Sequence, residues 1–64
     1  MLFFVVYEKA TGNIKRAGKV YTPAEVYMQP IDDTEDVIQI APEEWKMNFN
    51  EYIVDLNTIT VVRK

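Results

Sequence analysis

The sequence predicts a mainly β fold: a small antiparallel sheet of about five strands built from hairpins, with one short helix. Three observations predict it. Short β-branched and aromatic runs recur along the chain. Turn-forming residues punctuate them, as Thr11-Gly12-Asn13 and Asn57-Thr58 do. One stretch alone, Thr22 to Pro30, carries the start and stop signals of a helix.

Residues 2–8, LFFVVYE, make the first strand, and both of its faces are apolar. Leu2, Phe4 and Val6 lie on one face and Phe3, Val5 and Tyr7 on the other, since side chains alternate along a strand. Gly12 then takes a positive φ at no steric cost. The chain returns over 13–21 as a second, more polar strand, where Gly18 marks a bulge. Thr22 is a good N-cap, Pro23 suits the first helical position, and Glu25 completes a capping box. These signals predict a helix over 23–29, ended by Pro30. So short a helix needs tertiary support, so Val26 and Tyr27 are expected on the sheet.

Asp32 to Asp36, DDTED, reads as an acidic loop before a strand at 37–40. A calcium loop would need glycine where Val37 stands, so solvated carboxylates are preferred to a metal site. Pro42, Glu43 and Glu44 can open a single helical turn that carries Trp45 onto the core, although Ala41 is a poor cap. A carboxylate pair beside a stacking Trp also suits sugar chemistry, but such sites need a deep cleft that a chain this short rarely encloses. Strands at 51–56 and 59–63 close the chain as a hairpin.

The whole chain, 1–64, is one small β domain. Its size makes folding alone marginal, which favours support from partner chains. Ser, His and Cys are absent, so the usual nucleophile and base pairings cannot be assembled, and there is no disulfide or thiolate metal site. The two glycines are isolated, so no phosphate loop exists. The reading is of no enzyme and no cofactor. A formal net charge of −3 argues against nucleic-acid binding. No apolar run approaches the ~20 residues of a membrane span, and the start lacks the basic and small-residue parts of a signal peptide, which favours an unexported product.

What remains is contact with other proteins. The candidate contact residues are Leu2, Phe4 and Val6, taken as a face that a short helix and a Trp-bearing loop cannot cover, with Lys15 and Arg16. Lys15, Arg16 and Lys19 form a basic strand that Arg63 and Lys64 could extend. Such residues often guard a sheet edge, and they also suit an acidic partner.

Residues spread over nearly the whole chain resemble a module of bacteriophage tail and tail-fibre-associated proteins. Phe4 to Tyr7 with Thr11, Gly12 and Ile14 match its opening, F-V-V-Y-x-x-x-T-G-x-I. Gly18, Pro23, Val26 and Gln29 match its middle, and Tyr52, Val54, Asp55, Val61 and Val62 its close. The chain departs from that pattern where DDTED replaces a glycine-containing link and where Asn57-Thr58 stands in place of Thr-Gly. The resemblance implies a virion structural part, made in the host cytoplasm and held by self-association or by a tail, fibre or capsid neighbour. The same resemblance leaves room for a tail-fibre assembly factor, similar in sequence but absent from the finished particle. A further reading is a small acidic inhibitor of a host protein, although that would call for a broad acidic face, whereas the acids here cluster in one loop.

Overall fold

The computed structural model describes residues 1–30 and 32–64. The elements run β1 (Leu2–Glu8), β2 (Ile14–Val20), α1 (Pro23–Tyr27), β3 (Glu35–Ile40), 3-10 turns at Pro42–Glu44 and Phe49–Glu51, β4 (Tyr52–Asp55) and β5 (Thr60–Arg63). The fold is mainly β, as the sequence predicts, and all strand pairs are antiparallel. One sheet has the order β2-β1-β3, and β4 pairs with β5 in a second. A bridge between Asn13 and Ile53 ties the two sheets together.

The two-faced strand β1 sits at the centre of its sheet, and the chain covers both of its faces. On one, Phe4 and Val6 are buried with Val20, Val37 and Val26 of α1. On the other, Val5 and Tyr7 are buried with Ile40 and Val54, and Trp45, Phe49 and Val61 close over them. Val5, Val6, Val26 and Val54 are almost fully buried. Each such side chain contributes about 1.5–3 kcal/mol relative to exposure. This corrects the assignment of Leu2, Phe4 and Val6 to a partner. Phe4 and Val6 are core, and Leu2 is half-buried against them. The expectation allowed for one helix and one loop, and missed that the β4–β5 hairpin folds back as a further lid.

Helix α1 is shorter than expected. Thr22 Oγ1 accepts the Glu25 N–H at 3.4 Å and donates to the Glu25 carboxylate at 3.1 Å, which fixes the start. Met28 and Gln29 donate their N–H groups to Glu25 and Val26 carbonyls, and the helix stops. Val26 docks on the sheet, whereas Tyr27 is 71% exposed. The Pro42–Glu44 turn forms despite its poor cap, because the Glu44 carboxylate accepts the Ala41 N–H at 3.0 Å.

The bulge lies elsewhere than predicted. Val6 pairs with Arg16 and Tyr7 with Ile14, so Lys15 is the extra residue. Gly18 instead lies beneath a ring: a Cβ there would meet the Phe4 Cζ at 2.8 Å. The aromatic residue fills the space the glycine leaves. Strand β3 also begins earlier than expected, since Tyr7 pairs with Asp36 and Glu8 with Glu35.

Both hairpins turn in the same way. The Gly12 N–H donates to the Glu8 carbonyl at 2.7 Å, and the Ile59 N–H to the Asp55 carbonyl at 2.6 Å. The donor is left-handed in each, with φ 82° at Gly12 and 54° at Ile59. Glycine accepts that conformation, whereas a β-branched residue is strained there. Ile59 is 44% exposed, so its side chain offers little packing in return. Ile59→Gly is therefore expected to stabilise the protein by about 1 kcal/mol, with Ile59→Val giving no gain. Paired thermal melts check this; a lower melting temperature for the glycine variant would show that the Ile59 side chain outweighs its strain.

Candidate functional site

Arg16 lies on the α1 side of the sheet, opposite Val6. Its guanidinium donates to Glu35 Oε1 at 2.8 Å and to Oε2 at 3.4 Å, and to the Gln29 carbonyl at 2.6 Å. Glu35 is only 8% exposed. Arg16 is thus a structural clamp joining β2, β3 and the segment after α1. It uses the planar fork that lysine lacks. Lys15 stays near the surface, 3.8 Å from Glu8. Lys19 projects from the opposite face to Arg16, with its Nζ 5.6 Å from the Phe3 ring centre and 5.8 Å from that of Trp45. The expected basic edge is therefore divided between two faces.

A partly exposed aromatic row does form on the Lys19 side. Phe3 and Trp45 centroids lie 5.3 Å apart, and Trp45 and Phe49 meet edge to face at 5.2 Å. Tyr52 continues the theme, with Lys46 Nζ 5.3 Å and the Arg63 guanidinium 5.9 Å from its ring centre. Such pairs each add about 0.5–1.5 kcal/mol. Alternation along β1 and β2 places Phe3 and Lys19 on one face, but Trp45 and Phe49 join the row only through the segment of the two 3-10 turns.

Beside it, between the start of β1 and the end of β3, lies an open depression of about 290 Å³. Met1, Leu2, Phe3, Gln39, Ile40, Ala41 and Pro42 line it, so it offers apolar surface and one amide rather than a proton donor or a nucleophile. The acidic stretch is divided. Asp32 accepts the Thr34 N–H at 2.8 Å and the Thr34 hydroxyl, and these bonds hold its carboxyl below the ordinary value. Glu35 and Asp36 belong to β3. Among the described residues no three acidic, His or Cys side chains gather as metal ligands. Nor is any helix among them long and apolar enough to cross a membrane.

Tyr7 is a titratable side chain set deep in the β1 core, 4% exposed, with its hydroxyl donating to Asp36 at 3.4 Å. Burial, then the negative charge of Asp36 and that hydrogen bond, raise its pKa above 10.0. The unfolded chain loses this proton first. Stability is therefore fully present below about pH 10 and lost as pH rises through the raised folded value. Tyr7→Phe is expected to move the onset of alkaline unfolding upward in melts taken across that range. Identical alkaline profiles for the two proteins would mean Tyr7 ionises as freely folded as unfolded.

No family model, curated protein or solved structure matches the chain.

Proposed function

We propose that the chain is a non-enzymatic structural part of a bacteriophage particle, in or near the tail or its fibres, acting through contacts with other proteins. The observation that carries this reading is the surface left once the core is complete. Tyr21, Tyr27, Met28 and Met47 are each more than 70% exposed, the aromatic row is half-open, and β3 and β5 each have a strand partner on one side only. Large apolar side chains and open strand edges suit protein contacts. The absence of Ser, His and Cys from the sequence and the apolar lining of the depression favour binding over chemistry.

Quantitative mass spectrometry of purified particles of the encoding phage tests it. The chain is expected in a fixed ratio to the tail or fibre proteins. Its presence in infected cells but not in particles would favour an assembly factor. Capture of one host protein from lysate, with none in particles, would favour an inhibitor.

A further inference from the structure

The chain divides after β3 into a body, made of β1, β2, α1 and β3, and a flap, residues 41–64. The body closes one core by itself, since Phe4, Val6, Val20, Val26 and Val37 all belong to it. The second core is shared, with Val5, Tyr7 and Ile40 from the body and Val54, Trp45 and Phe49 from the flap. Polar side-chain contacts of the flap run between its own residues: Glu44 with Ala41, and Glu51 with Asn48 and Arg63. Among the described residues, main-chain contact with the body is made at one turn. There the Gly12 carbonyl accepts the Val54 N–H at 2.9 Å, and Asn13 bridges Ile53. Lys19, over the Trp45 ring, adds one cation–π contact.

We propose that the flap is exchanged between copies: the flap of one chain closes over Val5 and Tyr7 of a second, whose own flap closes over the first. This rests on the reading of the chain as a contact module and names a second copy as the partner. The interface itself identifies that partner. The surface uncovered when a flap lifts is shaped to the flap, and a second copy brings an identical one, so every contact of the closed chain is remade. Lifting is also selective. It separates mainly apolar surface and leaves few polar groups without partners, while the core under α1 stays intact.

The hinge is Ala41-Pro42. Ala41 is already extended, at φ −71° and ψ 152°, as the residue before a proline prefers to be. A hinge this short favours exchange, because little chain is available to fold back. The closed and exchanged forms share their contacts, so the tether decides between them. It presents a chain's own flap at an effective concentration on the order of millimolar. Exchange therefore belongs to copies crowded to that level, as neighbours in an assembly are. Reciprocal exchange satisfies both flaps and closes a two-fold pair.

To test this, wild-type chain is held at millimolar concentration in urea just below its unfolding transition, returned to buffer and sized by light scattering. A fraction should emerge at twice the 7.5 kDa of one chain and keep that mass on dilution, because reversal requires the flaps to reopen. A second arm uses the absence of native cysteine. Asn13→Cys with Ile53→Cys places a pair across the bridge between body and flap, at a spacing a disulfide spans. Oxidised while dilute, this double variant should form its disulfide within one chain and then stay single through the urea treatment. Oxidised after the treatment, it should give pairs of chains that survive denaturant and part on reduction. A wild type that stays single, or that pairs without urea and parts on dilution, would overturn the proposal. So would treated variant whose disulfides all lie within one chain, or variant locked beforehand that still pairs. None of these results depends on whether the chain is found in particles.

Discussion

Gly12→Ala is expected to destabilise the protein by about 3 kcal/mol or more, enough to lower its melting temperature by roughly 15 °C in a domain of this size. Two effects add. The position has φ 82°, where an L side chain costs about 1–2 kcal/mol. A Cβ there would also lie 2.2 Å from the Val54 carbonyl oxygen, a backbone atom that cannot swing aside. Gly12 is where the second hairpin closes on the first: its carbonyl accepts the Val54 N–H at 2.9 Å. Moving β4 away to admit a methyl group stretches that bond and opens the lid over Val5 and Tyr7. An unchanged melting temperature would show that the hairpin is not seated against this turn.

Arg16→Ala is the second large effect, at about 3 kcal/mol, because it takes the countercharge from a carboxylate that is almost wholly buried. It also frees the Gln29 carbonyl, and with it the segment leading from α1 to β3. Arg16→Lys should recover only part of the loss, since an ammonium cannot meet both Glu35 oxygens and Gln29 together. The pair Arg16→Leu with Glu35→Leu should recover most of it, as apolar replacements of buried ion pairs commonly do. Urea melts at constant slope measure all three. A double variant no better than Arg16→Ala would place the energy in something other than the ion pair.

These two positions mark what the sequence could and could not disclose. The glycine turn was legible, because Thr-Gly-Asn between apolar runs has a local mechanism. So was the helix start at Thr22, where the signals lie within four residues. The ion pair was not: Arg16 and Glu35 are nineteen residues apart and meet only because β1 pairs with both of their strands. For the same reason Glu35 and Asp36 read as loop residues, although β1 draws them into a strand. The contact of Gly12 with Val54 is made by backbone atoms, which leave no trace in side-chain pattern. Without it, the second face of β1 looked open, and Phe4 and Val6 were assigned to a partner. Of the candidate contact residues, Lys15 remains exposed.

Amide hydrogen exchange, measured on the dilute chain, tests most directly whether the molecule completes its own core. Slow exchange of the Val5 and Val6 amides is expected, with the outward amides of β3 and β5 exchanging faster. Unprotected β1 amides in the dilute chain would contradict it.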